Sequence, residues 1–236
     1  WRLPTPSAAL LNAYQIHNAE YDCVHEQAVV HPMAVLLGAV VAHVDRERAN
    51  GRRFTGQEVI TAVTVGVNVG AGIGIASRSP LSFFRPATAG GYAACAALGK
   101  LEGMDPDQLN GLMGLMLGQS SGTMQAHTEG SVMLAMQVGF NARNAVAALD
   151  MARAGIAGPA NVLEGPYGYY ALFEGDHDLP AMLADLGERW LITEVAHKPF
   201  PSGRATHGIV DACLSLAEEH GFDAAQVQSV SAKVPP

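Results

Sequence analysis

Three imidazoles and three carboxylates fall within fifteen residues near the start of the chain: His17, Glu20, Asp22, His25, Glu26 and His31. That density is hard to reconcile with a plain solvated face. A zinc helix is excluded on spacing, because Val29 stands where a second histidine would have to follow His25-Glu26. Acid–base work fits better. His31 precedes Pro32, a residue suited to the first position of a helix, and a helix N-terminus favours a neutral imidazole. A neighbouring carboxylate can then fix its tautomer. The competing reading is a surface loop carrying incidental histidines.

Two further stretches have the makings of anion cradles. Arg85-Pro86-Ala87-Thr88-Ala89-Gly90-Gly91 opens an apolar helix, and combines backbone N–H groups, a hydroxyl and a guanidinium. Lys198-Pro199-Phe200-Pro201-Ser202-Gly203-Arg204 stiffens the backbone beside a lysine, and places Arg204 and His207 at the start of the next helix. The plain alternative for Lys198 is the cap of a neighbouring helix. A weaker stretch, Gln119 to Glu129 with His127 inside it, reads equally as a polar pocket wall or as a connection. Met113, Met116, Met133 and Met136 read as fillers of core gaps.

The elements that must position these groups are helical. Thr55-Gly56-Gln57-Glu58 and Asp105-Pro106-Asp107-Gln108 are capping boxes. A helix is expected from Pro32 to about Asn50, stopped by Gly51, another from Ser131 to Ala154, and a third from Arg204 to His220 with Gly221 at its C-cap. Some seven to nine helices follow. Weak alternation over Trp190–Val195, and better alternation over Val227–Val234, suggest short strands. The expected class is all-α, with residues 1–225 forming a helical domain and 226–236 starting a connection to something containing β structure.

Composition bounds the rest. Of 236 residues 49% are apolar and only 15% charged, against about 25% charged in ordinary soluble domains. Disorder is excluded, and surface buried against another subunit or domain is expected. The net charge of -8, with no basic run longer than Arg52-Arg53, argues against nucleic acid as a partner. Cys23, Cys95 and Cys213 are isolated, which fits a reducing, cytoplasmic setting and gives no thiolate metal site. Val59–Ser77 carries no charge over nearly a membrane-spanning length. Thr61, Thr64, Asn68 and four glycines interrupt it, so a helix buried on all sides is expected rather than a membrane partner. The N-terminus has no signal-peptide core and no initiator Met, the pattern of a fragment or processed product.

Taken together the residues resemble the 2-methylcitrate dehydratase (MmgE/PrpD) family, whose relatives include cis-aconitate decarboxylase and iminodisuccinate epimerase. The resemblance runs along nearly the whole chain. It rests on His17…Glu20-Tyr21-Asp22…His31-Pro32, Phe84-Arg85-Pro86-Ala87-Thr88…Gly90, Gly139–Asn144, Gly158–Gly168 and Trp190…Lys198-Pro199-Phe200-Pro201. It implies a large helical domain with a smaller α/β lid, usually a homodimer, with the active site between the two and no metal or organic cofactor. The chain would be most of the helical domain, without the first helices and the lid. A lid domain or second polypeptide would complete the pocket. Carried over by position, His31 matches the active-site His, Glu20 and Asp22 the acidic pair, Thr88 the pocket Thr, and Lys198 the Lys of the K-P-F/Y-P segment. Three positions depart: Arg85 where His is typical, Leu134 where many members have Lys, and Gly203 where Cys or His is common.

The resulting expectation is a cofactor-independent lyase of dehydratase type acting on a small hydroxy-di- or tricarboxylate. His31 is the base for a proton alpha to a carboxylate, oriented by Asp22 or Glu20. Lys198, Arg85, Thr88 and Arg204 bind substrate, and the general acid is left between His25 and His127. An epimerase using the same proton abstraction, and a catalytically silent helical binding module, are the alternatives.

Overall fold

The computed structural model describes residues 3–233. Its elements are α1 (Thr5–Asn18), β1 (Cys23–Val24), α2 (Pro32–Ala49), α3 (Gly56–Ala76), α4 (Arg85–Glu102), α5 (Pro106–Leu117), α6 (Gln125–Thr128), α7 (Met133–Arg153), α8 (Leu179–Leu183), β2 (Ala196–His197) and α9 (His207–His220). Helices dominate, as the sequence indicated. Their boundaries are set by local chemistry. The Thr55–Glu58 and Asp105–Gln108 capping boxes are both formed. Gly103 and Gly221 end α4 and α9 in the left-handed conformation, at φ 67° and 66°.

The core is organised around α4. Every one of its residues except Lys100 and Glu102 is buried. Its alanines and glycines allow α2, α3, α5 and α7 to approach on different sides, while α1 packs across α2 and α7. Bulk comes from the neighbours, with Leu36, Leu112, Met116 and Leu149 fully buried around the small-residue helix. On α3, Gly66 faces Ala93, whose carbonyl oxygen would lie 2.6 Å from any added Cβ. An alanine at that position would push the two helices apart.

Three expectations are corrected. First, α3 is buried on one side only. Its Gly66, Gly70 and Gly74 side faces inward, whereas Ile60 is 68% exposed. It is long and apolar enough to cross a membrane, yet over half of its apolar stretch is packed inside the protein. Second, Trp190–Val195 forms a 3-10 turn, Leu191–Glu194, rather than a strand. One polar residue of α3 accounts for this: Asn68 Oδ1 accepts from the Leu191 N–H at 2.8 Å, and Leu191 is buried beneath the turn. The strand comes immediately afterwards, where β2 pairs antiparallel with β1 (Cys23 with His197, Val24 with Ala196). Third, no strand forms over residues 227–233. A 3-10 turn at Ala224–Gln226, capped by Asp223, precedes that stretch.

Candidate active site

The β1–β2 ribbon builds the site. Helix α1 delivers His17 in its last turn, and the chain then reverses through Glu20 in the left-handed region at φ 55°. That conformation is uncommon for a residue with a side chain, and it turns Glu20 and Asp22 back toward the helix end. His31 caps α2 ahead of Pro32, which holds it out of helical backbone geometry (φ -107°, ψ 77°). The ribbon brings Lys198, the residue after β2, onto the same spot.

Three side chains meet on Asp22, and a fourth, Glu20, joins them through Lys198. Asp22 Oδ2 lies 2.7 Å from His17 Nδ1 and 3.6 Å from His31 Nδ1. Its Oδ1 lies 3.1 Å from Lys198 Nζ, which also donates to Glu20 Oε2 at 2.5 Å. The Lys198 side chain is fully covered, the Asp22 and His17 side chains nearly so, while those of His31 and Glu20 remain 16% and 28% exposed. His31 Nδ1 is 2.9 Å from the Cys23 carbonyl, which can only accept, so Nδ1 carries the proton and Nε2 keeps its lone pair. The result is an imidazole with a free lone pair, on a side chain that is 16% exposed.

The electrostatics agree. Burial pushes the His31 imidazole below its ordinary range, against the pull of the Asp22 carboxylate. Burial alone would raise Asp22, but the His17 hydrogen bond and the nearby His31, His17 and Lys198 charges outweigh it and hold the carboxyl low. Cys23, beside them, is pushed up to about 11 by burial, and so is no nucleophile. His17, Asp22 and His31 bring ligand-type atoms within 4.8 Å of one another. Both Nδ1 atoms are committed as donors, however, and the Lys198 ammonium already supplies the positive charge on that carboxylate. The cluster does not fit a cation.

The remaining expected site residues sit elsewhere. Arg85 is buried, with its guanidinium against Glu174 (Nε to Oε1 2.8 Å, Nη2 to Oε2 2.7 Å) and Nη1 on the Ala28 carbonyl. Thr88 is buried too, its hydroxyl 3.0 Å from that of Tyr169, which donates to Glu174. Together they close an internal network that pins the turn at Tyr170–Glu174 to α4, and neither faces an open cleft. The side chain that the start of α4 presents to the histidines is Phe84, its ring 5.8 Å from that of His17. His25 is buried outside the cluster, accepting from the Ala28 N–H, with Nε2 3.7 Å from Glu194. His127 is exposed on α6. Arg204 pairs with Glu26 at 2.6 Å on the rim of a cleft of 830 Å³, whose wall also includes Val24, His197, Pro199 and His207. Lys198 and His31 therefore converge, but on a shared buried carboxylate, and the ammonium is enclosed.

His17 belongs to the cluster although the sequence reading gave it no role. Its signal was present: a histidine in the last turn of a helix, five residues before an aspartate.

Comparison with known proteins agrees with this architecture. Residues 1–181 match the MmgE/PrpD N-terminal domain, and the chain belongs to the MmgE/PrpD family. It is 30% identical over 226 residues to a cis-aconitate decarboxylase of Aspergillus terreus, covering 91% of this chain and 46% of that protein. It is 29% identical to the cis-aconitate decarboxylase-like protein oryM of Aspergillus oryzae, covering 91% of this chain and 47% of the relative. The human cis-aconitate decarboxylase is 26% identical, over 91% of this chain and 45% of the relative. The chain thus spans about half the length of the curated relatives it matches.

Proposed function

We propose that this chain carries the proton-transfer half of a lyase site for a small tri- or dicarboxylate, of the dehydratase or decarboxylase type. One observation carries the reading. His31 is anchored through Nδ1 and keeps the Nε2 lone pair on a partly exposed side chain, beside two carboxylates that share one lysine ammonium. In a dehydration of the 2-methylcitrate type, Nε2 takes the proton alpha to a carboxylate. The C–H electron pair forms the new double bond, and the hydroxyl leaves as water after protonation. In a decarboxylation of the kind the relatives' names describe, the bond to one carboxylate breaks and carbon dioxide leaves. The carbon that retains the electron pair is then protonated, and His31, neutral at rest, can supply that proton only after Nε2 has taken one up from solvent. Asp22 orients the cluster and Lys198 offsets part of its negative charge. On this reading a lid domain or a second subunit of a homodimer closes the substrate side.

An epimerase is the second reading, favoured by the start of α4. Phe84 faces the histidines there and Arg85 is turned inward, so this part of the wall offers no acid for a departing hydroxyl. Incubating the protein in D₂O with 2-methylcitrate, cis-aconitate and hydroxydicarboxylates tests both. Loss of water or carbon dioxide supports the lyase. Solvent deuterium incorporation without either loss overturns it in favour of the epimerase.

A further inference from the structure

Asp22 Oδ2 has two claimants, and only one is satisfied. His17 Nδ1 holds it at 2.7 Å, whereas His31 Nδ1 stands off at 3.6 Å and donates to the neutral Cys23 carbonyl. Among the described residues the His17 ring makes no other hydrogen bond: its Nε2 is buried with no partner. An imidazole kept with one nitrogen unsatisfied in the interior calls for an explanation.

We propose that His17 is a positioning residue for His31: it captures the Asp22 carboxylate, keeps it from pairing with His31, and so preserves His31 as the free base. This rests on the reading of His31 as the proton acceptor and deepens it.

The physical reason is the strength of a histidine–carboxylate pair. Full contact with Asp22 would favour the imidazolium and leave Nε2 protonated before substrate arrives. With His17 in place, the carboxylate is near enough to stabilise the imidazolium once His31 has taken a proton, yet it is engaged elsewhere in the resting state. Few other charges bear on the balance. Among the described residues, the titratable groups around the two rings are Glu20, Asp22 and Cys23 of the α1–β1 turn and Lys198 after β2. The start of α4 contributes only the Phe84 ring. Burial acts in the same direction, holding His31 below its ordinary range.

The test compares two substitutions. His17→Asn keeps a donor where Nδ1 stands, and His17→Phe keeps a ring but no donor. The His31 ring is titrated by NMR in the protein without substrate, and kcat/KM is followed against pH with the acid that the wild type consumes. In H17F the His31 midpoint and the acidic limb of kcat/KM are expected to rise together by about one pH unit, whereas H17N stays at the wild-type position. Equal midpoints in H17F and wild type, or equal shifts in both variants, overturn the proposal. If H17F does not fold, the wild-type protein decides. Protonating His31 must then disturb the ¹⁵Nδ1 resonance of His17, and an unmoved resonance overturns the proposal. Loss of the His31 assignment would show separately, as full activity in a His31 variant, while the NMR comparison would still read the coupling.

Discussion

Lys198 Nζ and Glu20 Oε2 meet at 2.5 Å across 178 residues of sequence, and the same ammonium reaches Asp22 Oδ1 at 3.1 Å. The lysine side chain is fully buried. It acts as the counter-ion of two carboxylates, so a substrate anion would have to compete with both of them for it. Lys198→Met is therefore expected to act first on the fold. Breaking such a pair from one side costs about 3–5 kcal/mol, and Asp22→Asn added to Lys198→Met should recover part of it. Denaturant unfolding of the single and double variants measures both quantities.

His31 makes the opposite prediction. His31→Asn keeps a donor to the Cys23 carbonyl and removes Nε2, so unfolding should be little changed while kcat/KM falls about 10²–10⁴-fold. Activity and thermal melting on the same preparation separate the two effects. Wild-type turnover in this variant would remove His31 from the mechanism.

Acid should destabilise the protein in two stages. His25, His31 and His43 are all held below their ordinary value of 6.5 by burial. Each contributes stability that is complete above that value and is lost as the pH falls below it, because the unfolded chain takes up the proton first. Asp22 is held below 3.8, so its contribution is present above that value and is lost only at more acidic pH. Melting temperature against pH is expected to decline from about pH 6.5 and again below about 4. In Asp22→Asn the lower step should shrink while the upper one persists.

Arg85 is expected to behave as part of the interior. Arg85→Met leaves Glu174 buried and unpaired, and should cost about 3–5 kcal/mol. Arg85→Met with Glu174→Leu should regain most of it, with KM for substrate unchanged in the folded double variant. A large rise in KM there, with stability restored, would return Arg85 to substrate binding.

Much of the scaffold could be read without coordinates, because its signals are local. Thr55–Glu58 and Asp105–Gln108 cap helices through neighbours three residues away, and Gly221 ends its helix by its own backbone freedom. The errors arose where partners are remote. Apolar spacing over Trp190–Val195 looks like a strand, but Asn68, more than a hundred residues earlier, draws Leu191 into a 3-10 turn. Arg85 has the composition of an anion cradle, and nothing near it in sequence reveals Glu174, 89 residues on. The aspartate and the lysine of the site were legible by type, yet the enclosure of the lysine was not, since it depends on how two distant strands pair. His17 was visible as a residue but not as a partner.

The ribbon that aligns those strands has only two rungs, Cys23 with His197 and Val24 with Ala196. Side chains alternate along it, so one extra residue between Asp22 and Val24 would send every following group to the reverse face. The lysine would then point away from both carboxylates. An insertion at this junction would therefore disturb the cluster more than an exchange of one residue for another, and the length of the stretch between the first helix and the ribbon matters to the arrangement as much as any group upon it.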